Sequence, residues 1–120
     1  MICLIVDDSP AMRRLIARII GDLADWVYEC GNGSQALAAY RQYRPDWVLM
    51  DIEMDEMDGL QATREITAAF PEARIAIVSK HNDARMREAA RDAGALEFVA
   101  KDNLLDVRRL LAAWVSRSSS

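Results

Sequence analysis

Short apolar runs alternate with longer amphipathic segments along the chain, and the alternation repeats five times. Most of the runs are almost continuously apolar, which is typical of strands covered on both faces of a parallel sheet. The second run is weaker and is predicted to lie at an edge of the sheet. The predicted strands are Cys3–Val6, Trp26–Glu29, Trp47–Met50, Ile75–Ser79 and Leu96–Ala100.

The segments between the strands have the spacing of helices that pack one face onto a sheet. In the first segment, apolar residues recur every three or four positions from Met12 to Leu23 and include Leu15. The last segment repeats this pattern. Five strand–helix repeats with short connections predict a three-layer α/β sandwich, in which helices cover both faces of a parallel sheet. Three arginines of the first helix are predicted on its solvated face: Arg13, Arg14 and Arg18.

Length and charge limit the possible classes of protein. A chain of 120 residues suits one domain, and a net charge of -4 argues against bulk electrostatic binding of nucleic acid by this domain alone. No apolar run approaches the length of about 20 residues that a membrane span needs, and the amino terminus lacks signal-peptide features. We therefore expect a cytoplasmic protein without membrane contact. Cys3 and Cys30 are predicted to be buried free thiols.

Polar side chains stand at four of the predicted strand ends. In open α/β sheets, ligands bind beyond the carboxyl ends of the strands. Strand ends are often polar, so one such residue carries little information, but a set that combines carboxylates, a hydroxyl and a cation is more specific. The set consists of Asp7, Asp8, Asp51, Ser79 and Lys101.

The chemistry of this set points to a phosphoryl group. Clustered carboxylates repel one another and need a cation, and oxygen ligands of this kind suit Mg²⁺. Lys101 supplies a positive charge for a phosphate oxygen, and Ser79 supplies a hydroxyl donor. Asp51 is then the nucleophile that attacks phosphorus and forms an acyl phosphate.

Two other interpretations of the loop that begins at Asp51 fail. An EF-hand needs glycine at the sixth position and glutamate at the twelfth, where the sequence has Glu56 and Ala62. A phosphatase with paired aspartates needs Asp-x-Asp, and the second position is Glu53.

Four motifs together resemble the receiver domain of bacterial two-component response regulators. They are Val6-Asp7-Asp8-Ser9, the segment 51–59 (Asp-Ile-Glu-Met-x-x-Met-Asp-Gly), Val78-Ser79, and the segment 93–101 (Ala-Gly-Ala-Leu-x-Phe-Val-x-Lys). The resemblance covers residues 1–117, with residues 118–120 expected as a disordered tail. It implies a flavodoxin-like (βα)5 fold with the strand order 2-1-3-4-5.

The resemblance also implies a role for each matching residue. Asp51 would accept a phosphoryl group from a histidine kinase or phosphotransfer protein, assisted by Lys101 and Ser79. Ser79 and Phe98 would form a switch pair that changes the surface of the fourth helix, fifth strand and fifth helix, which would control a partner, a homodimer or an output domain. Apart from this self-phosphorylation and dephosphorylation, no enzyme activity is expected. The implied Mg²⁺ ligands are Asp7, Asp8, Asp51 and the backbone carbonyl of Glu53.

Some positions depart from the commonest pattern of the family. Asp55 and Asp102 stand where proline is frequent. Three residues occupy positions expected to tune the lifetime of the phosphoryl group, namely Glu53, Lys80 and His81, although a surface pair of Glu53 with Lys80 is an alternative. Lysine followed by aspartate, together with Val78-Ser79-x-His81, is similar to receivers whose regulators carry helix-turn-helix output domains.

Two alternative functions stay open at this point: a constitutive interaction module that is never phosphorylated, and an enzyme on the same scaffold. The intact acidic set argues against the first, and the absence of a second recognisable substrate site argues against the second. We expect a kinase to dock near Arg13, Arg14 and the first helix. Further arginines are candidates either for partner or dimer contacts or for a solvated face: Arg85, Arg87, Arg91, Arg108 and Arg109.

Overall fold

The computed structural model describes residues 1–54 and 57–118. Its sheet has five parallel strands in the order β2-β1-β3-β4-β5. Both the predicted strand order and the edge position of the second strand are therefore confirmed. The strands are β1 (Ile2–Val6), β2 (Trp26–Cys30), β3 (Trp47–Met50), β4 (Ile75–Ser79) and β5 (Glu97–Ala100).

Helices follow the strands as the periodicity predicts. Ser9 caps the first helix by accepting a hydrogen bond from the backbone N–H of Met12, and Pro10 is its first residue. The α-helices are α1 (Pro10–Ile20), α2 (Ala36–Tyr43), α3 (Gly59–Ala69), α4 (Ala84–Ala93) and α5 (Leu105–Ser118). Short 3₁₀ turns span Gly33–Gln35 and Lys101–Asn103. Ser118, the first residue of the predicted tail, is the last residue of α5, and the rest of that tail lies outside the described residues.

The core has one layer on each face of the sheet. Alternate residues of the central strands point to opposite faces, so Leu4 and Val6 pack against α2, α3 and α4, whereas Cys3 and Ile5 pack against α1 and α5. This two-sided burial accounts for the continuously apolar strands. The position of the strands in the middle layer leaves their carboxyl ends as an open edge on which polar residues can meet.

Some details of the predicted elements are wrong: β1 begins one residue earlier than predicted, at Ile2, and β2 ends one residue later, at Cys30. Leu15 was expected in the core-facing stripe of α1, but its side chain is 40% exposed because it lies at the margin of that stripe, whereas Ile16 and Ile20 are buried. The last strand begins at Glu97, one residue later than predicted, and Leu96 before it is largely exposed.

Both cysteines are free and buried, as predicted. The strand register pairs Cys3 with Val27 and Cys30 with Val6, which keeps the two thiols apart. Burial raises the pKa of the Cys3 thiol to about 12, and the charge of Asp46 adds to the effect. All peptide bonds in the described ranges are trans, including the bond between Lys101 and Asp102. No helix in those ranges is both long enough and apolar enough to cross a membrane.

Candidate functional site

Strand pairing brings Asp7 and Asp51 to the same edge of the sheet. The backbone N–H of Asp7 donates to the carbonyl of Cys30 (3.1 Å), and that of Asp51 donates to the carbonyl of Val6 (2.9 Å). These bonds extend the hydrogen-bond ladders of β1 by one residue beyond the strand ends. Both aspartates therefore lie at nearly the same level along the strand direction. Both are buried, with 2% of Asp7 and 5% of Asp51 exposed.

Lys101 lies between the two buried carboxylates. Its Nζ is 3.0 Å from Asp7 Oδ2 and 3.1 Å from Asp51 Oδ1. The other oxygen of Asp7 accepts a hydrogen bond from the backbone N–H of Ser9 at 2.8 Å. Among the residues that the structure describes, Lys101 is therefore shared by two buried carboxylates, and the orientation of Asp7 is set from both sides.

The shared lysine leaves the charge of the site unbalanced. Burial raises the pKa of Asp51, the charge of Asp7 raises it further, and Lys101 opposes both without cancelling them. Burial lowers the pKa of Lys101, but its hydrogen bond to Asp7 and the charge of Asp51 outweigh that effect, so the pKa lies above its ordinary value. Lys101 is thus a fixed positive charge, while Asp51 resists ionisation.

Three carboxylates of the site could hold a metal ion. One oxygen each from Asp7, Asp8 and Asp51 lies within 4.8 Å of the others. Asp8 is exposed, unlike the other two, so the cluster opens to solvent on its side. A set of hard oxygen donors with an open side fits Mg²⁺, which keeps several waters in its coordination shell.

A cleft of about 580 Å³ opens above the acidic cluster, and its walls contain most of the residues predicted from the sequence. The predicted members are Asp7, Asp8, Asp51, Glu53, Ser79, Lys80 and Lys101. Other residues of the walls were not predicted from the sequence, namely Ser9, Met12, Ile52, Met54 and Asp58. Asp58 carried a detectable signal, because an aspartate before a glycine at a helix start is a cap, whereas nothing local marks a methionine as a wall residue.

The loop from β3 to α3 passes close to the backbone of Asp51. A Cβ atom on Gly59 would lie 1.9 Å from the Asp51 carbonyl oxygen, so a larger residue does not fit there. The N–H of Gly59 donates to the carbonyl of Ile52 at 2.8 Å, and Asp58 caps α3 by accepting from the N–H of Gln61. The glycine thereby fixes the start of α3 against the residue that carries the central carboxylate. Asp55, which stands where proline is frequent in the family, lies outside the described residues.

Ser79 and Phe98, the predicted switch pair, occupy different surroundings. Ser79 is buried at the end of β4, and its Oγ accepts a hydrogen bond from the backbone N–H of His81 at 3.1 Å. Phe98 lies half-buried beside a separate groove of about 220 Å³ between α4 and β5. The guanidinium of Arg87 covers its ring at 4.7 Å from the centroid, and Arg87 also donates to the carbonyl of Asn82.

The exposed rim of the cleft carries the three residues predicted to tune phosphoryl lifetime. The carboxylate of Glu53 contacts Nε2 of His81, so the loop after β3 touches the loop after β4. Within residues 1–54 and 57–118, Glu53 pairs with His81 and not with Lys80, which contradicts the alternative of a Glu53–Lys80 pair. Lys80 is exposed at the cleft wall.

Arg13 was predicted on the solvated face of α1, and this prediction is wrong. Its side chain is 18% exposed and reaches back to the sheet, where Nη1 donates to the backbone carbonyl of Asp7 at 2.5 Å and Nε donates to Glu29 at 2.9 Å. Arg14 is exposed, as expected. Sequence periodicity places a residue on a helix face, but a long side chain at the edge of that face can turn either way.

Two of the five remaining arginines that were predicted as partner contacts or solvated residues have defined intramolecular contacts between elements. Arg87 covers Phe98, as described above. Arg108 joins α5 to α1 by donating to the carbonyl of Ile19 and to the carboxylate of Asp22.

Comparison with known proteins decides the family. The sequence pattern of the response regulator receiver domain matches residues 3–114. The chain belongs to the response regulator receiver domains.

Relatives of this receiver domain include a chemotaxis protein and a transcriptional activator. It is 41% identical over 99 residues to the chemotaxis protein CheY of Bacillus subtilis, covering 82% of each chain. It is 34% identical over 116 residues to the transcriptional activator protein ExaE of Pseudomonas putida, covering 91% of this chain and 54% of that protein. A solved LuxR-family two-component response regulator from Aurantimonas sp. SI85-9A1 has a TM-score of 0.87 and 28% identity, covering 96% of this chain and 84% of the other.

The family establishes the kind of function. The protein is a phosphorylation-dependent signalling switch of two-component systems with a flavodoxin-like fold, and Mg²⁺ binding is typical of its family. Receiver domains are signalling proteins that interact with kinases and phosphotransfer proteins, rather than classical enzymes.

Proposed function

We propose that Asp51 is the phospho-acceptor of this receiver domain. The observation that supports it is the position of its carboxylate, which is buried at the floor of the cleft and held at 3.1 Å from Lys101. Asp7 is equally buried, but both of its oxygens already accept hydrogen bonds, from Ser9 and Lys101. Asp51 is therefore the better nucleophile of the two.

The transfer step forms one bond and breaks another. A carboxylate oxygen of Asp51 attacks phosphorus of a phosphohistidine, the P–O bond forms, and the P–N bond breaks with its electron pair left on the imidazole nitrogen. Lys101 lies where it can contact a phosphate oxygen, and the Ser79 hydroxyl can donate to another. These residues would neutralise negative charge that the transfer brings to a buried position.

We assign Mg²⁺ to Asp7, Asp8 and Asp51, with the backbone carbonyl of Glu53 as a further ligand. When bound, the ion supplies positive charge for the phosphoryl oxygens. The donor set supports this assignment, because three carboxylates cluster there, whereas the described contacts of Lys101 reach Asp7 and Asp51 but not Asp8. The chain itself orients the acceptor, excludes bulk water from its buried side and holds Lys101 protonated.

We propose Ser79 and Phe98 as the switch pair. Ser79 reports the phosphoryl group by moving its hydroxyl toward it, which frees space in the core for the ring of Phe98 to turn inward. The half-buried ring and its contact with Arg87 support this role, since inward rotation would break that contact and change the surface of α4, β5 and α5. That surface would control a partner, a homodimer or an output domain.

Glu53, Lys80 and His81 are proposed to set the lifetime of the phosphoryl group. The contact between Glu53 and His81 joins the two loops at the rim of the cleft that Asp51 also lines. We expect Glu53→Asn and Lys80→Ala to change the rate of phosphate loss. Decay at the wild-type rate in both variants, followed after removal of the phosphodonor, would refute this role.

We further propose that a histidine kinase or phosphotransfer protein docks on α1 beside the cleft, where Arg14 and Leu15 are exposed. Because kinases draw their phosphoryl groups from ATP, we place the protein in the cytoplasm. The receiver domain is proposed to span residues 1–117. The net charge of -4 supports a domain that does not bind nucleic acid by itself.

The test of the acceptor is chemical phosphorylation. The protein is incubated with acetyl phosphate and Mg²⁺ and its intact mass is measured, with Asp51→Asn as the variant and Asp92→Asn, an exposed residue of α4, as the matched control. We expect a gain of one phosphate in the wild type and in Asp92→Asn, and none in Asp51→Asn. No gain in the wild type would favour a constitutive module, and a gain in Asp51→Asn would move the acceptor elsewhere.

A further inference from the structure

Arg13 connects three parts of the fold behind the acidic cluster. It begins on α1, contacts the carbonyl of Asp7 through Nη1 at 2.5 Å, and contacts the edge strand β2 through Glu29 at 2.9 Å. Gly31 lies beside the guanidinium, where an added Cβ would make an ordinary contact with Nη1 at 3.6 Å. Both contacts are made by a side chain that is mostly removed from solvent.

The bond to the Asp7 carbonyl acts on a specific peptide unit. This carbonyl belongs to the peptide that joins Asp7 to Asp8, so its orientation fixes the backbone from which the Asp8 side chain departs. The Asp7 side chain is already held by Ser9 and Lys101, whereas Asp8 is exposed. Arg13 can therefore orient Asp8, which is the exposed carboxylate of the cluster.

We propose that Arg13, oriented by Glu29, is a positioning residue for the metal site, because it holds the Asp7–Asp8 peptide in the orientation that aims Asp8 at the ion. This rests on the proposed Mg²⁺ site. Arg13 does not touch the ion or the phosphoryl group. It acts through Asp8, in the way that residues behind metal ligands commonly orient those ligands.

Charge and positioning predict opposite results when Arg13 is removed. An arginine behind the acidic cluster repels a divalent cation, so its charge alone would make Mg²⁺ binding tighter in Arg13→Gln. Loss of the orientation of Asp8 would make binding weaker. A docking role for Arg13 would leave the affinity unchanged, so the sign of the change separates the three possibilities.

The experiment is an NMR titration with MgCl₂ that follows the backbone amides of Asp8 and Ser9 in labelled protein. Arg13→Gln is compared with Arg14→Gln, which removes the same charge from the exposed neighbouring position. We expect Arg13→Gln to weaken Mg²⁺ binding by about tenfold and Arg14→Gln to stay within about twofold, as for a remote surface charge. The Asp8 amide of Arg13→Gln should also shift before any Mg²⁺ is added, because its peptide has lost a hydrogen bond.

A second variant protects the test against loss of folding. Glu29→Gln keeps Arg13 but weakens the bond that orients it, so we expect a smaller change of the same sign, and little further effect when it is added to Arg13→Gln. The rate of phosphorylation by acetyl phosphate should fall in Arg13→Gln at low Mg²⁺ and recover when Mg²⁺ is saturating.

Unchanged or tighter Mg²⁺ binding in Arg13→Gln, with a wild type that binds, would overturn the role of Arg13 and leave the metal site intact. A wild type whose amides do not respond to Mg²⁺ would instead contradict the metal site itself, and the role of Arg13 with it.

Discussion

Replacing Asp51 by asparagine should make the metal-free protein more stable. The change removes one negative charge from a buried cluster and keeps the shape of the side chain, and the amide oxygen can still accept a hydrogen bond from Lys101. The negative charge of Asp51 is unfavourable in the folded wild type, because burial and the charge of Asp7 raise the pKa of Asp51. Folding is therefore opposed by the ionisation of Asp51 at neutral pH.

The distances give the size of this effect. With an effective dielectric constant of about 20, the 3.1 Å separation of Lys101 and Asp51 is an attraction of about 5 kcal/mol. Oxygens of Asp7 and Asp8 lie no more than 4.8 Å from an oxygen of Asp51, so each contributes a repulsion of at least about 3.5 kcal/mol. The repulsion exceeds the attraction by about 2 kcal/mol; burial of Asp51 adds to this excess, and solvent screening of the exposed Asp8 reduces it. We expect a gain in stability of about 1–2 kcal/mol, or about 4–8 °C in Tm.

The pH dependence has a definite sign. Since the pKa of Asp51 is raised in the folded protein, the folded state keeps a proton at pH values where the unfolded chain has lost it. Asp51 of the wild type is therefore protonated as pH falls through its raised pKa, and the destabilising effect of its negative charge is lost. The advantage of Asp51→Asn should be largest near neutral pH and should shrink toward the ordinary aspartate pKa of about 4.

Urea denaturation followed by far-UV circular dichroism measures the difference, first with a chelator and then with Mg²⁺. A Mg²⁺ concentration ten times the Kd should stabilise the wild type by about 1.4 kcal/mol and bring it close to the variant. The exposed Asp92→Asn serves as control and should change stability by less than about 0.5 kcal/mol. If Asp51→Asn is less stable than the wild type in chelator at pH 7, the attraction to Lys101 dominates and this reasoning is refuted.

Three further variants or measurements test other parts of the fold. Gly33→Ala should lower the free energy of unfolding by about 1–3 kcal/mol in urea, because its new Cβ would lie 2.3 Å from the carbonyl oxygen of Met57. Arg87→Gln removes the cation above Phe98 and should tighten binding of the phosphoryl analogue beryllofluoride by about two- to fivefold, measured by NMR titration. The thiol of Cys3, with its pKa raised by burial to about 12, should resist alkylation at pH 8 in the native state, as read from the intact mass.

The two substitutions have matched comparisons in the chain, and the alkylation of Cys3 has one contradicting outcome. Gly31→Ala adds a Cβ that would make an ordinary contact at 3.6 Å, so equal losses for Gly31 and Gly33 would contradict the clash with Met57. Arg85→Gln removes an exposed charge from the same helix as Arg87. An equal gain in beryllofluoride affinity in that variant would indicate a general effect of charge and not the loss of the contact with Phe98. Rapid alkylation of native Cys3 would show that β1 is more accessible than its burial indicates.

The sheet could be predicted from the sequence because burial on both faces leaves a strong signal. Strands such as Trp47–Met50 are continuously apolar, and short connections permit few topologies for five strand–helix repeats. The convergence of Asp7, Asp51 and Lys101 followed from this topology, since the carboxyl ends of parallel strands share one edge. Their roles in catalysis and metal binding remain predictions.

Contacts that depend on the path of a long side chain could not be predicted. Arg13 leaves the solvated side of α1 because a carbonyl six residues earlier and a carboxylate sixteen residues later lie within its reach, beyond the spacing of neighbours on one helix face. The exposure of Leu15 could not be predicted either. Periodicity defines the apolar stripe of a helix, but it does not show how far the sheet covers the margin of that stripe. The stacking of Arg87 on Phe98 also depends on two elements that meet only after folding.

The strand register has a consequence for quality control in signalling. Ser79 pairs with Ala100 and Val6 pairs with Met50, so the next residues along the chain, Lys101 and Asp51, converge with Asp7 only when all these pairings are correct. A slip of one residue in β5 would turn every side chain of that strand to the opposite face and carry the lysine away from the carboxylates. Chains that fold incorrectly would therefore lack the proposed acceptor site, and they would neither consume phosphoryl groups nor send a false signal.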